Sequence, residues 1–154
     1  MKKIILGSLS AALLATSLNA SAMDAEDAIQ FRQAGYKFMA WNMAKIKAMA
    51  IDGKAEWNLQ QVQAAANSIA ATANSGMGAL YFPGTEKNVG NTKTRVNPDM
   101  FKDAEGVNQV GMAFHKAANE LAAAAETGDQ NAIKKAFAAT GESCKGCHDK
   151  YRLD

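Results

Sequence analysis

The sequence predicts an all-α protein, an antiparallel four-helix bundle. Four segments carry apolar side chains three and four residues apart, the spacing that places them on one face of a helix. The 154 residues include only two prolines, and alanine, the strongest helix former, is abundant. Short connections separate the first two helical segments and the last two, as expected between antiparallel neighbours.

The N-terminal residues are expected to lie outside this bundle. A basic head, Met1–Lys3, precedes an apolar run from Ile4 to Leu18 and a small-x-small sequence at Ala20–Ala22, a pattern typical of a secretory signal peptide. A membrane anchor is the alternative, but the run is shorter than the ~20 residues that span a bilayer. We therefore predict a cleavable signal peptide in residues 1–22. Residues 23–154 would form one mature periplasmic domain that is not embedded in the membrane.

Charge and composition narrow the possible partners. The formal net charge is +2, and cleavage of the signal peptide would remove two lysines and no acid. The mature domain would then be close to neutral, so we predict no nucleic-acid partner, which would call for a strongly basic face. Hydrophobic residues make up 48% of the chain, which excludes a disordered protein.

The first helix is predicted from about Asp24 to Ala50. Its apolar stripe consists of Ile29, Tyr36, Met39, Met43, Ile46 and Ala50. Arg32 shares that stripe, and a cation among apolar side chains needs either a buried partner or a path along which it reaches water. The second helix is predicted from about Ala55 to Ala73, after a break at Asp52-Gly53. Its stripe is Leu59, Val62, Ala66 and Ile69.

A long loop and two further helices complete the mature chain. The loop spans Asn74 to about Asn97, and its length indicates that it packs against the bundle or serves function. The third helix is predicted from Pro98-Asp99 to about Glu126, because proline is tolerated in a first turn. Its stripe is Ala104, Val107, Gly111, Phe114, Ala118, Leu121 and Ala125. Asp129 is a suitable N-cap for the fourth helix, with the stripe Ile133, Phe137, Thr140, Cys144, Cys147 and Tyr151.

The fourth helix carries Cys144-Lys145-Gly146-Cys147-His148, the C-x-x-C-H pattern of c-type haem attachment. Two thiols at this spacing can add across the two vinyl groups of a porphyrin, and the following histidine can give a nitrogen to the iron. A thioredoxin-like pair would need a βαβ context, and zinc would need more ligands. A structural disulfide in an exported protein is the remaining alternative. We predict one covalently attached haem c, with His148 as the iron ligand.

The position of the motif separates two kinds of c-type cytochrome. In the small class I cytochromes c the motif lies near the N-terminus, and a methionine far downstream ligates the iron. Here the motif lies close to the end of the sequence, and no methionine follows it. Any second protein ligand must therefore come from another helix.

Three segments resemble the cytochrome c′ family, class II cytochromes with haem near the C-terminus of a four-helix bundle. The segments are residues 26–34 (EDAIQFRQA), 82–86 (FPGTE) and 141–152 (GESCKGCHDKYR). The resemblance implies that Arg32 and Gln33 lie by the haem, where the arginine meets a propionate. It also implies that Thr85 and Glu86 belong to a loop that borders the haem.

The same resemblance places Tyr36 on the distal side of the iron and Arg152 beside the proximal pocket. A bulky non-ligating side chain at the distal position leaves the iron of cytochromes c′ five-coordinate and high-spin, whereas low-spin relatives place a methionine ligand on the first helix. Met39 and Met43 are the rival ligands here, although methionines at helical spacing usually fill the core. Arg152 has a simpler alternative role, in which it complements the helix dipole.

Two functions follow from these expectations. The resemblance implies an iron that binds nitric oxide or carbon monoxide, takes part in electron transfer with an unidentified redox partner, or does both. The alternative is a low-spin six-coordinate electron carrier. No enzyme activity is predicted, because the sequence shows no second catalytic constellation. The resemblance also implies homodimers formed largely through the first two helices, so that Trp41 and Trp57 would face either a partner subunit or the core.

Overall fold

The computed structural model describes residues 23–154, so the predicted signal peptide in residues 1–22 lies outside the described residues. The described chain forms four α-helices, α1 (Ala25–Ile46), α2 (Leu59–Ala73), α3 (Ala104–Thr127) and α4 (Gln130–Tyr151). A π-helical turn at Lys47–Ile51 continues α1, and 3₁₀ turns occupy Met77–Leu80 and Pro98–Lys102. Each α-helix packs against the next along the chain, and no strand forms between residues 23 and 154. The predicted all-α four-helix bundle is confirmed.

Every α-helix begins at an Asp or Asn whose side chain accepts hydrogen bonds from backbone N–H groups of the first turn. The acceptor and donor pairs are Asp24 with Glu26, Asn58 with Gln61, Asp103 with Gly106, and Asp129 with both Asn131 and Ala132. These N–H groups have no partner within the helix, so the caps fix where each helix starts. The predicted cap at Asp129 is confirmed.

Two helix starts differ from the prediction because of these caps. α2 begins at Leu59 rather than near Ala55, since the preceding residue is extended and supplies the cap. α3 begins at Ala104, whereas Pro98–Lys102 forms a separate 3₁₀ turn. Proline is tolerated at the first position of a helical turn because the N–H that it lacks would have no partner there. Pro98 therefore begins the short 3₁₀ turn, and α3 begins six residues later at Ala104.

The core is one cluster of apolar side chains from all four helices. Its buried members are Met39, Ile46, Ala50, Val62, Ala65, Ala66, Ile69, Ala73, Ala118, Leu121, Ala125 and Ile133. Trp57 packs against this cluster, whereas Trp41 on α1 is 57% exposed. Tyr36, expected on the apolar stripe of α1, is 40% exposed, and the same helix buries the polar side chains of Arg32 and Asn42. One part of α1 therefore faces something other than the apolar core.

The long loop between α2 and α3 is held against α1 by polar side chains. Thr92 Oγ1 accepts a hydrogen bond from Gln30 Nε2 at 2.9 Å and donates one to Glu26 Oε1 at 2.8 Å. Gln33 Nε2 donates to the carbonyl of Lys93 at 2.6 Å. The expectation that the loop packs against the bundle is confirmed. Among the helices of residues 23–154, none has both the length and the apolar character needed to cross a bilayer.

Candidate haem site

The two cysteines of the predicted attachment motif lie one turn apart on α4. Residues three apart face the same side of a helix, and Cys144 and Cys147 are both partly buried free thiols. Burial raises the pKa of each thiol, and the neighbouring Cys144 raises that of Cys147 further. Both thiols are therefore protonated near neutral pH.

His148 is exposed at the next position of α4. Its Nδ1 lies 3.4 Å from Nη1 of Arg152, one turn further along the helix. Both side chains line an open cleft of about 580 Å³, together with Arg95, Asp149, Leu153 and Asp154. The imidazole is therefore accessible to a ligand, and Arg152 lies directly beside the predicted proximal histidine.

Arg32 is a buried cation surrounded by neutral oxygens. The side chain is 2% exposed. Its Nη1 donates to Thr85 Oγ1 at 3.0 Å and to the Leu80 carbonyl at 3.3 Å, and its Nη2 donates to the Thr85 carbonyl at 2.5 Å and to Thr94 Oγ1 at 2.8 Å. Burial lowers the pKa of this guanidinium, yet an arginine stays charged at neutral pH.

The surroundings of Arg32 fit an anionic group. Within residues 23–154 this guanidinium forms no ion pair with a carboxylate. A buried charge is costly unless it is paired as well as hydrogen-bonded. A haem propionate would supply the missing anion, as the resemblance implies.

The other predicted pocket residues lie on α1 and in the loop around Arg32. Gln33 binds a loop carbonyl, and Thr85 is fully buried, where it accepts from Arg32 and donates to the carbonyl of Phe82. Glu86 Oε2 accepts from a backbone N–H of the same turn at 2.6 Å, and backbone hydrogen bonds lower the pKa of this carboxyl. Among the described residues Glu86 has no hydrogen bond or ion pair with Arg32. The structure therefore brings Arg32 and Thr85 into contact but not Glu86.

Tyr36 forms a pair with a second tyrosine. The hydroxyls of Tyr36 and Tyr81 lie 3.1 Å apart and are hydrogen-bonded, and the guanidinium carbon of Arg32 lies 4.5 Å from the centre of the Tyr81 ring. Burial is the main reason that the pKa of both phenols is raised, and the charge of an ionised Cys147 raises both further. Both phenols are therefore protonated near neutral pH.

The two methionines considered as rival iron ligands belong to the core. Met39 is buried in the apolar cluster, and Met43 packs against it. A thioether packed among aliphatic side chains is in the environment that methionine ordinarily fills. The structure therefore gives neither methionine a polar or open surrounding.

The sequence alone did not single out Tyr81, Thr94 and Arg95. Tyr81 immediately precedes the FPGTE segment, and this position could have identified it as a candidate site residue. Thr94 lies in a part of the loop without regular secondary structure, and its contact with Arg32 depends on how the loop folds back. Arg95 reaches the cleft at His148 because its carbonyl accepts from Leu153 N–H at 2.7 Å, beyond the end of α4.

The combined set of donors fits a covalently attached haem. Two thiols lie on one side of α4, an accessible imidazole follows them, and the hydrogen-bonded tyrosines Tyr36 and Tyr81 join α1 to the loop. The buried guanidinium of Arg32, which has no carboxylate partner among residues 23–154, lies over the ring of Tyr81. These groups can supply the thioether bonds and the axial nitrogen of a c-type haem, together with aromatic contacts and a cationic partner for a propionate.

Comparison with known proteins gives one consistent result. A family model described as Cytochrome C′ matches residues 27–152. A cytochrome c′ of Allochromatium vinosum is 54% identical over 154 residues, which cover 97% of this chain and 98% of that protein. A solved cytochrome c′ described as having an unusual ligand-controlled dimer dissociation is 55% identical, with a TM-score of 0.82 over 86% of this chain and 98% of its own.

A more distant structure extends the same result. A ferrous variant of the cytochrome c′ from Alcaligenes xylosoxidans, solved with bound NO, is 29% identical to this chain and matches it with a TM-score of 0.75. The match covers 85% of this chain and 97% of that one. The chain therefore belongs to the cytochrome c′ family, whose members bind c-type haem, and Cys144 and Cys147 are its two thiols for covalent attachment.

Proposed function

We propose that the mature chain is a periplasmic mono-haem protein in which His148 is the only protein ligand of a five-coordinate, high-spin iron. Its distal side would bind nitric oxide or carbon monoxide. This proposal rests on one observation: no side chain of α1 that was considered as a sixth ligand is free to bind the iron. Met39 and Met43 belong to the core, and the hydroxyl of Tyr36 is engaged by Tyr81.

When bound, the haem supplies an iron that changes between the ferric and ferrous states and accepts a small diatomic molecule. Cys144 and Cys147 would hold it through two thioether bonds, and His148 would bind the iron from the proximal side. Arg32 would pair with a propionate while Thr85 keeps the guanidinium oriented through two hydrogen bonds. Arg152 would border the proximal side next to the imidazole.

Tyr36 is a poor iron ligand in these surroundings. Only a phenolate would bind iron strongly, as in catalase. Because burial raises the pKa of Tyr36, the phenol stays protonated at neutral pH. A neutral ring over the iron would exclude water and anions while a small uncharged gas molecule passes, which supports gas binding over ligation by the protein.

The relatives support the same role. The Alcaligenes xylosoxidans protein, whose fold matches this chain, was solved with bound NO. Electron transfer is the second capability, because a haem iron can change between the ferric and ferrous states. We infer no enzymatic role. The described groups around the site would bind the haem and orient one another, and no two of them are placed as an acid–base pair.

The exposed face of α1 supports a homodimer. Phe31, Phe38 and Trp41 are each about half exposed or more, and the rings of Phe38 and Trp41 stack with centres 5.8 Å apart. Large apolar side chains clustered at the surface mark interaction sites. A solved relative described by its ligand-controlled dimer dissociation supports a partner of the same kind, a second copy of this chain.

Titration of the ferrous holoprotein with nitric oxide, followed by electron paramagnetic resonance, tests the proposal. We expect one equivalent to bind in the wild type and in the Met39→Leu and Met43→Leu variants alike, since neither methionine would have to leave the iron. Binding that becomes much tighter or faster in one of these two variants would identify that methionine as a displaced ligand and overturn the five-coordinate assignment.

A further inference from the structure

Tyr81 comes from the loop after α2, yet it contacts two residues of α1. Its hydroxyl is 3.1 Å from the hydroxyl of Tyr36, and its ring stacks on the guanidinium of Arg32 at 4.5 Å. Arg32 and Tyr36 are four residues apart and therefore lie on the same face of α1. Tyr81 thus contacts both the predicted propionate partner and the predicted distal side chain.

The ring of Tyr81 is fixed independently of its hydroxyl. Arg32 binds the carbonyl of Leu80, the residue before Tyr81, as well as the side chain and carbonyl of Thr85. A cation held over an aromatic ring adds a further attraction. The loop is therefore anchored on both sides of Tyr81. These contacts hold the Tyr81 ring beside Tyr36 even without the bond between the two hydroxyls.

The hydrogen bond between the two tyrosines restrains the exposed one. Tyr36 is 40% exposed, and its hydroxyl has one hydrogen-bond partner among the described side chains, Tyr81. Rotation of Tyr36 out of its position requires that this bond break. A neutral hydrogen bond is worth about 1 kcal/mol, which corresponds to a factor of about five in an equilibrium or rate.

We propose that Tyr81 is a positioning residue for gas binding: its hydroxyl holds the Tyr36 ring over the distal side and so limits how fast a diatomic ligand reaches the iron. This inference rests on the proposed function, because it takes Tyr36 as the distal residue. It adds a second tyrosine, from a different element, to the control of ligand access.

The test is flash photolysis or stopped-flow measurement of carbon monoxide association with the reduced holoprotein. Tyr81→Phe keeps the ring and its stacking on Arg32 but removes the hydrogen bond, so we expect association to be about fivefold faster. Tyr36→Phe removes the same bond from the other side and should give the same increase. The double variant Tyr36→Phe/Tyr81→Phe should be no faster than either single variant.

A matched control comes from a hydroxyl on α2. Ser68→Ala removes a hydroxyl that donates to the Ala64 carbonyl within α2 and has no part in the tyrosine pair, and we expect the association rate to stay at the wild-type value. An increase in that variant would show that the effect reflects general loosening and would overturn the proposal. The tyrosine Raman bands that report hydrogen bonding should change in Tyr81→Phe and in Tyr36→Phe before any ligand is added.

Three other results would contradict either this inference or the proposed function. Rates unchanged in both Tyr81→Phe and Tyr36→Phe would contradict the inference while leaving gas binding intact. Effects that multiply in the double variant would show that the two hydroxyls act separately and would contradict it as well. Failure of carbon monoxide to bind the wild type would instead overturn the proposed function, so the two failures are distinguishable.

Discussion

The hydroxyl of Tyr151 donates a 2.5 Å hydrogen bond to Oδ2 of Asp103, which joins the last turn of α4 to the beginning of α3. The other carboxylate oxygen of Asp103 accepts from the N–H of Gly106 and caps α3. One carboxylate therefore fixes both the start of α3 and the position of the helix end that carries His148.

Substitution of Gly106 by alanine should destabilise the protein, although alanine favours helix. A Cβ at position 106 would lie 2.2 Å from Asp103 Oδ2 and 2.3 Å from the Tyr151 hydroxyl, so this hydrogen bond would have to be displaced. We expect a loss of roughly 1–3 kcal/mol in the free energy of unfolding, the usual range for overpacking a filled site.

Gly111 on the same helix provides the matched control for this substitution. A Cβ there meets no atom within 4 Å, so Gly111→Ala should stabilise the protein by up to about 1 kcal/mol through helix propensity. Urea unfolding of both variants measures the difference. Equal effects of the two substitutions would show that the space around Gly106 is not filled as described.

Asp103 should make stability depend on pH in the acid range. The hydrogen bond from Tyr151 and that from Gly106 lower the pKa of this carboxyl in the folded protein below the ordinary value of 3.8. The stabilisation is fully present above pH 3.8 and is lost as the pH falls through the lowered folded pKa. We therefore expect the stability difference between wild type and Asp103→Asn to be constant from pH 7 to pH 4.5 and to shrink below pH 3.8. A difference that grows on acidification would contradict this assignment.

Arg32→Leu should be among the most damaging single substitutions outside the attachment motif. It leaves the Leu80 and Thr85 carbonyls and the Thr85 and Thr94 hydroxyls without the guanidinium that they bind. Buried groups that lose a charged partner cost about 1–3 kcal/mol or more. Thr94→Val, which removes one of the four bonds, should cost only about 1 kcal/mol. Thermal unfolding of the two holoproteins checks this order, and a milder effect for Arg32→Leu would contradict it.

Replacement of both Cys144 and Cys147 by alanine should leave any bound haem removable by acid-acetone. The reason is that His148 and Arg32 would then hold it only through ligation and non-covalent contacts. The wild type should retain its haem under the same treatment, and each single variant should retain it through one thioether bond. Haem that stays on the double variant after extraction would refute attachment through these thiols.

Tyr36→Ala should speed carbon monoxide association with the reduced holoprotein. The substitution removes the ring that we place over the distal side, and a tenfold increase corresponds to about 1.4 kcal/mol taken off the barrier to binding. Flash photolysis measures the rate. Unchanged kinetics would count against the distal placement of Tyr36, because a ring elsewhere on α1 would not obstruct the ligand.

Much of the fold could be read from the sequence because helices and their caps are local. The periodic apolar positions predicted all four helices, and Asp129 predicted the start of α4. The starts of α2 and α3 were misplaced because the break at Asp52-Gly53 and the proline at position 98 lie several residues before the caps Asn58 and Asp103. How many residues separate such a signal from the first residue of the helix depends on packing that local sequence does not contain.

The candidate site was predicted where a motif is contiguous and missed where the loop folds back. Cys144, Cys147 and His148 are adjacent in sequence, and Arg32 was recognisable as a cation on an apolar stripe. Tyr81 and Thr94 reach Arg32 only through the path of the loop, which is set by contacts such as that of Gln33 with a distant carbonyl. Such long-range contacts leave no periodic pattern in the sequence.

The most direct test of an open iron is the absorption spectrum of the reduced holoprotein before and after addition of carbon monoxide. With Met39 in the core and Tyr36 protonated and held by Tyr81, we predict a broad high-spin spectrum that shifts when the gas is added. A sharp low-spin spectrum that carbon monoxide leaves unchanged would mean that a side chain of the protein occupies the sixth position, and it would contradict the proposed function.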